Sequence, residues 1–571
     1  MERGLCSPSD TIRLKREDAM RRHLPWLIAG MAAGLLAAAP AAAQTGVTLS
    51  GQVTSAEEGA MEGVLVSAKK GIVTTTVVTD KDGRYGFPAA KLEPGAYAVS
   101  IRAVGYEVDG KPSAEVATDK PASLDLKLRK TRKLSSQLTN AEWILSAPGT
   151  PQQKQVFFNC VSCHTVERIF KSNHDAAGFL QVLPRMAGYA NQSTPLHPQR
   201  RVAQRLLEER GDQREAAFRQ RAEYLATINL SEGTTWEYQL QTLPRPNGRA
   251  TRVVITEYDL PRPTIEPHDV ILDKDGTPWY SNFGEQTFGK IDPKTGQHTE
   301  YPVADLKKGW PTGMLGLRAD RDGNMWLGMM YQGAIAKFDP KTEKFQYWSL
   351  PPEMNKDMTQ VNMVRAESAH VDGKVWSQNN GFAAVHRLDV ASGQIETFEP
   401  FKGSKAGENH NIYDVIPDSQ NNVYFTDFGQ EHIGRIDAKT NEVKLYTMPT
   451  KASAPRRGMM DALDRLWFGE YRGNKIAMFD TKAETFKEWT MPTPWSGPYD
   501  VALDKNGEAW TGSMMTDRVS RLNPATGEVV DYLLPRPTNI RRVFVDNSTT
   551  PVTFWVGSNH GASIIKLEPL D

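Results

Sequence analysis

The clearest pattern of polar and apolar positions in the chain is a repeat that begins at Thr251. An aromatic opens a short alternating run at Trp279, Trp326, Trp376, Tyr424, Trp467, Trp510 and Trp555, spaced 43 to 50 residues apart. Most of these runs follow a turn such as Asp273-Lys274-Asp275-Gly276 or Asp504-Lys505-Asn506-Gly507. A third run and turn come next (Gly289 to Gly296, Ser520 to Gly527), and a fourth run closes the unit, as at Thr299 to Pro302 and Lys487 to Pro492. Four short strands per unit predict a β-propeller, and seven aromatic anchors predict seven blades over residues 251–571. The last unit stops after its third strand, Ser563 to Leu567. Ile255 to Pro261 supplies the matching outer strand, so this segment is expected to pair with the last blade and leave no open edge. The repeated aromatics read as packing residues between blades.

Upstream, the periodicity changes twice. Residues 44–130 alternate with period two in β-branched runs (Val64 to Val66, Thr74 to Thr79, Tyr97 to Ile101) separated by turn residues, which predicts a β-sandwich. Within it, Asp82-Gly83 is expected to form a hairpin turn that sends Tyr85 and Phe87 into the core. Residues 131–250 have helical spacing. Gln152 to Asn159 forms one predicted helix, and Gln199 to Leu225 a long charged one with Val202, Leu206, Phe218 and Leu225 as its apolar positions. The expected fold class is mainly β, with an N-terminal β-sandwich, a small α-helical segment and a C-terminal seven-bladed propeller.

Composition changes this picture little. Lys plus Arg equals Asp plus Glu, at 68 each, so no global field favours nucleic acid. The basic cluster Lys127, Arg129, Lys130, Arg132 and Lys133 reads as a solvated linker. Met20-Arg21-Arg22-His23, the apolar run Leu24 to Ala39 and Ala41-Ala42-Ala43 read as an export signal over residues 1–43, with translation beginning at Met20. The run is short for a membrane span, and no later segment looks transmembrane. The expectation is a periplasmic protein with no stable span after cleavage.

Cysteine usage adds the first chemistry. Cys6 lies upstream of the signal, which leaves two cysteines, both in Cys160-Val161-Ser162-Cys163-His164. C-x-x-C-H is the attachment signature of haem c: both sulfurs bond the haem and the adjacent imidazole binds the iron. A disulfide and a zinc site are the alternatives. A redox C-x-x-C belongs at the end of a strand in a βαβ unit, and structural zinc needs four ligands. Polar, helix-like sequence precedes this motif, and His164, His174 and His197 are the only further donors counted in the segment. His164 is then the proximal ligand. Met186 is the candidate for the sixth position, where a thioether would raise the potential; His174 and His197 are its competitors.

Three resemblances extend these readings. Thr79 to Phe87, Pro94 to Tyr97 and Gly105-Tyr106 resemble the carboxypeptidase regulatory-like (transthyretin-like) β-sandwich, which implies an accessory module without catalytic residues. Ala222 to Ile228 resembles the C-terminal helix of small cytochromes c, which implies packing against the helix before the haem motif. Glu300-Tyr301-Pro302, His432 to Ile436 and Leu466 to Glu470 resemble the virginiamycin B (streptogramin) lyases. That family opens a lactone by elimination with a histidine base, a glutamate two residues earlier and Mg2+. Glu266-Pro267-His268 reproduces the local motif. The family's acidic residue after the tryptophan of the same blade is replaced by Asn282; acidic residues at that register occur at Asp427 and Glu470.

The inner strands should begin at one mouth of the channel. Counting eleven residues back from the aromatics gives His268, Tyr413, Arg456 and Tyr499, with Arg541 as the counterpart in the last blade. Asp269, Asp414 and Asp500 follow three of these positions, and His410 lies in an adjoining loop. The candidate catalytic set is His268, Glu266, Asp427, Glu470, Arg456 and Tyr499. A histidine base between carboxylate and guanidinium suits proton abstraction or an anionic or polyhydroxylated small-molecule substrate. Three functions compete. The first is periplasmic electron transfer through haem c to a respiratory partner, linked to an oxidoreductase, with the propeller binding a small polar substrate. The second is lyase-like C–O elimination, and the third non-catalytic binding or sensing. The propeller site is expected to act separately from the haem motif.

Overall fold

The computed structural model describes residues 46–202, 212–230, 239–405 and 408–571. The export signal, Cys6 and part of the predicted 199–225 helix lie outside the described residues.

The repeats form seven four-stranded antiparallel blades. In blade 1 the order is Pro267–Leu272, Pro278–Asn282, Thr287–Ile291, His298–Pro302. Blade 7 contains Ile540–Asp546, Thr553–Ser558 and Ser563–Pro569, and its fourth strand is Val253–Asp259, paired in register from Val253↔Pro569 to Asp259↔Ser563. The ring therefore closes as the sequence predicts. The anchor aromatics are buried (Trp376 and Trp510 completely) and stack on outer-strand rings, as in Trp326–Trp348 at 5.6 Å and Trp467–Trp489 at 5.4 Å. Burial of rings this size contributes about 1.5–3 kcal/mol or more each. The aspartate that opens the preceding turn clamps the indole: Trp279 Nε1 donates to Asp273 at 2.8 Å, Trp326 to Asp320 at 2.9 Å, and Trp467 and Trp510 to Asp461 and Asp504 at 3.0 Å. One side chain thus forms the turn and fixes the core aromatic.

The N-terminal module is a β domain, with Tyr85 and Phe87 buried as expected. The Asp82-Gly83 hairpin is corrected. Gly83 (φ +70°) does close a tight turn, its N–H donating to Asp80 O at 2.9 Å. The flanking strands, however, do not pair. Val73–Val78 pairs with Leu65–Lys70, whereas Arg84–Pro88 pairs with Val47–Ser55. The turn crosses between sheets because Val73–Val78 has another partner: it pairs antiparallel with Val253–Asp259, for example Thr76↔Ile255. Blade 7 and one sheet of the module are thereby one eight-stranded sheet. The run Val73-Thr74-Thr75-Thr76-Val77-Val78 carries no charge or proline to protect an edge, and here it is not an edge. Lys69–Asp259 (2.6 Å), Lys91–Glu568 (2.5 Å) and the buried pair Arg102–Asp517 (2.6 Å) reinforce the junction.

Between them lies a helical segment with helices Asn140–Ser146, Pro151–Lys154, Phe157–Cys160, Glu167–Phe170, Ala176–Ala187 and Asp212–Thr227. Thr139/Glu142 and Thr150/Gln153 form capping boxes, which start two short helices that propensity alone would leave marginal. Residues 199–202 are not helical, so the long helix predicted from Gln199 does not begin there; Arg200 instead makes an antiparallel bridge to Tyr189. Phe157, just before the cysteines, lies 5.4 Å from Phe170 and 6.3 Å from Tyr224 of the last helix. The segment lies across one mouth of the propeller. Ala141 N donates to Met515 O (2.8 Å), Gln192 to Thr312 O (2.8 Å) and Gln199 to Gly284 O (2.9 Å), and Phe158 packs against Tyr471 and Trp495 at 4.9 and 5.2 Å. No helix among the described residues is long and apolar enough to cross a membrane.

Candidate functional site at the covered propeller mouth

Five of the seven inner strands share one irregularity. Register shifts occur at Pro267/Val270, Val361/Val364, Ile412/Val415, Pro455/Gly458 and Ile540/Val543. A bulge at this point frees two consecutive residues from the ladder and re-aims their side chains. The pairs so released include His268-Asp269, Tyr413-Asp414, Arg456-Arg457 and Arg541-Arg542.

Four of the predicted positions meet in one chain of hydrogen bonds. His268 Nδ1 is 2.8 Å from Asp269 Oδ1, His268 Nε2 is 3.1 Å from the Tyr499 hydroxyl, Tyr499 touches the Tyr413 hydroxyl, and Arg456 Nη2 donates to Tyr413 at 3.1 Å. His268 is fully buried, and burial lowers its pKa to about 3, against the pull of Asp269. The neutral ring fixes the polarity: Nδ1–H donates to Asp269, and Tyr499 donates to Nε2 and accepts from Tyr413. The Arg456 guanidinium lies 3.8 Å from the Tyr499 ring centre, with Tyr471, Tyr413 and Phe428 at 4.4, 4.6 and 4.8 Å. This aromatic cage holds the cation by its ring faces.

A charged layer that pattern reading missed supports the histidine. Asp269 accepts from Arg457 twice at 2.7 Å, from Arg318 at 2.9 Å and from Arg542 at 3.2 Å. Its carboxyl is held well below the usual range by these charges, against the cost of burial. Arg365 pairs with Asp414, and burial raises Asp500 to about 7. The signal for Arg457 and Arg542 was their place beside Arg456 and Arg541; strict strand alternation would turn them away from the channel.

The C-x-x-C-H turn sits on this mouth. Asn539 Nδ2 donates to Val161 O at 2.9 Å, Arg541 Nη2 to Ser162 O at 2.8 Å, and His560 Nε2 is 3.3 Å from Ser162 O. Arg541 also stacks on Phe283 at 4.9 Å, and Phe283 lies 5.0 Å from His268. The motif and the channel histidine are thus linked through Arg541 and Phe283. Cys160 and Cys163 are not bridged to each other. Burial pushes their thiols up to about 12 and about 11. His164 Nδ1 lies 2.8 Å from Thr165 O, which selects the tautomer with Nε2 free as a metal donor. Two unpaired sulfurs and an imidazole poised at Nε2 fit the donor set of haem c.

The remaining predicted residues fall elsewhere. Glu266 does not bond His268. Its Oε2 accepts from Asn559 at 2.9 Å, its Oε1 is buried without a hydrogen bond, and burial raises its pKa to about 8. Asn282 Oδ1 accepts from the N–H groups of Glu266, Gly284 and Glu285 at 3.1, 3.1 and 3.3 Å. Glu266 is buried with a raised pKa, and the neighbouring Glu285 carboxylate is already taken by Arg262 and Thr264, which does not fit Mg2+, an ion that takes free carboxylate and water oxygens. Glu470 is buried, and burial followed by the nearby Glu488 charge raises it to about 8. Asp427 pairs with His410 at 2.7 Å. Met186, in the last turn of helix Ala176–Ala187, is 37 % exposed. His174 packs edge-on against Phe179 at 5.5 Å, and His197 Nδ1 is buried without a hydrogen bond.

The described residues thus form a β-propeller joined to a β module. Residues 308–538 match the virginiamycin B lyase family, and residues 48–129 the carboxypeptidase regulatory-like domain. No curated protein matches the chain. Among solved structures, a streptogramin B lyase is 22% identical over 56% of this chain and 99% of its own, with a TM-score of 0.48. The selenomethionine-substituted virginiamycin B lyase from Staphylococcus aureus is 21% identical over 55% and 99%, with a TM-score of 0.47. A catalytically inactive variant of the S. aureus enzyme with quinupristin gives the same values.

Proposed function

We propose that this chain is an exported, periplasmic electron-transfer protein that holds haem c covalently at Cys160 and Cys163, with a lyase-like propeller as the platform for the haem motif. The observation that carries this reading is the clamping of the Val161-Ser162 carbonyls by Asn539, Arg541 and His560 from the propeller. When bound, the haem supplies one-electron redox chemistry, passed to a respiratory partner. The chain's own residues do the positioning. Thr165 O holds the His164 ring by Nδ1, which would leave Nε2 to bind the iron, while Arg541 ties the motif to the aromatic and histidine side chains beneath. Met186 would be the second protein ligand, with His174 and His197 as the alternatives. The caged Arg456 and the His268–Tyr499 relay suit a small polar or anionic substrate, bound or transformed.

Lyase-like elimination is the second reading, favoured by the family match and by Glu266-Pro267-His268. Its base would be His268, neutral through the physiological range and oriented by Asp269. Two features oppose it: His268 is fully covered, and Asn282 stands where the family places an acid. Non-catalytic binding or sensing is what remains if neither activity is found.

One experiment separates them. Protein exported with haem-maturation machinery is assayed for c-type absorption bands, for haem reduction by a panel of small polar substrates, and for linearisation of a type B streptogramin with Mg2+. The electron-transfer reading expects sharp reduced bands that survive denaturation and vanish in the Cys160→Ser/Cys163→Ser variant. Streptogramin cleavage by colourless protein, abolished by His268→Ala, would replace that reading with the lyase.

A further inference from the structure

We propose that His410, Asp427 and His432 form a binding site for a divalent transition-metal ion, of which Zn2+ is the type. The three donors come from the same end of blade 4. Asp427 ends the strand Val423–Asp427, His432 begins the next strand directly opposite it in the ladder, and His410 lies two residues before Ile412, which pairs with Asp427 on the other side. An antiparallel ladder therefore brings together three residues that are distant in sequence.

One ligand atom from each residue lies within 4.8 Å of the others. Asp427 Oδ2 is 2.7 Å from His410 Nδ1 and 3.5 Å from His432 Nδ1. Around a zinc ion with bonds near 2.0–2.1 Å, donors sit about 3–3.5 Å apart, so small movements complete the geometry. The carboxylate is already oriented: Asp427 Oδ1 accepts from Asn411 N at 2.9 Å and Gly429 N at 3.2 Å, which turns Oδ2 toward the imidazoles. The His410 ring is fixed by stacking on Phe401, with centres 3.9 Å apart and planes 6° from parallel.

Ordinary packing leaves two atoms unexplained. His410 Nε2 and His432 Nδ1 are buried without a hydrogen bond, and the His410 side chain is only 10% exposed. An unpaired buried imidazole nitrogen costs about 1–3 kcal/mol, and a metal removes that cost at His432. Glu408 Oε2, 3.5 Å from His410 Nε2, places a further carboxylate at the rim. Two imidazoles and one carboxylate suit Zn2+ and its first-row neighbours; Mg2+ and Ca2+ prefer all-oxygen shells. Three protein ligands leave a position for water, so the site is open.

The test is Zn2+ titration of the full chain and of its Cys160→Ser/Cys163→Ser variant, followed by X-ray absorption at the zinc edge. Both proteins should bind one ion in a shell of nitrogen and oxygen. His432→Ala, at a partly exposed position, should weaken binding at least about 100-fold without moving the unfolding midpoint; Asp427→Asn should weaken binding as much and also lower the midpoint, because it removes the buried partner of His410. A sulfur shell, loss of binding in the cysteine variant, equal affinity in His432→Ala and Asp427→Asn, or no uptake at all would each overturn the proposal.

Discussion

Replacing Glu266 with glutamine should stabilise the protein in alkaline solution and leave it nearly unchanged in acid. The carboxyl is buried, one oxygen is paired with Asn559, the other has no hydrogen bond, and burial raises the pKa from 4.5 to about 8. The unfolded chain releases this proton near pH 4.5 and the folded chain near pH 8. Stability is therefore fully present below about pH 4.5 and is lost as pH rises through about 8. At about 1.4 kcal/mol per pH unit, the full loss is about 5 kcal/mol, of which about 3 kcal/mol has accrued by pH 7. Relaxation around Arg541, whose charge opposes the shift, brings the working figure to about 3–5 kcal/mol at pH 8.5. Glu266→Gln keeps the shape and cannot ionise, so its advantage over wild type should grow along that curve. Urea unfolding of both proteins at intervals from pH 5 to pH 8.5 measures the difference. Parallel stability curves, with no gain for Gln at pH 8.5 over pH 5, would refute the burial argument.

Other consequences are as direct. Asp269→Asn leaves Arg318, Arg457 and Arg542 without their shared carboxylate, and losing one partner of a buried ion network costs about 3–5 kcal/mol; calorimetry should show a large fall in Tm, and an unchanged Tm would contradict the cluster. In acid, His268 and His560, each lowered to about 3 by burial, should make stability fall as pH drops below about 6.5 toward 3, a limb that His560→Gln reduces in urea titrations. Deleting residues 44–130 exposes the Val253–Asp259 edge, so light scattering should detect association of the truncated protein at concentrations where the full chain is monodisperse.

Much of the propeller is legible in the sequence because its repeat combines a turn aspartate, an aromatic six residues later and a fixed return distance. The closure by Val253–Asp259 follows from counting strands. The sheet that continues into Val73–Val78 was not read, although an uncharged β-branched run is poor sequence for an edge. The return distance from each aromatic points to His268, Tyr413, Arg456 and Tyr499, and to the aspartates that follow three of them. Arg457 and Arg542 are not legible that way, because strict alternation turns them outward and only the bulge brings them to the channel. In the sequence His432 is visible only as part of a blade pattern, because its partner Asp427 becomes a neighbour through ladder register. Nor does helical periodicity say which surface a helical segment covers. The seating of Val161-Ser162 on Asn539, Arg541 and His560 joins residues almost 400 positions apart, and no local pattern encodes it.

The central claim is that the C-x-x-C-H turn on the propeller mouth carries covalent haem. Intact-mass spectrometry of the denatured protein, purified from the periplasm of cells with haem-maturation machinery, tests it most directly. The wild type should weigh more than its processed polypeptide by one haem, with the added mass on the peptide containing Cys160 and Cys163, and the double serine variant should lack it. A wild-type mass equal to the bare polypeptide would contradict the account.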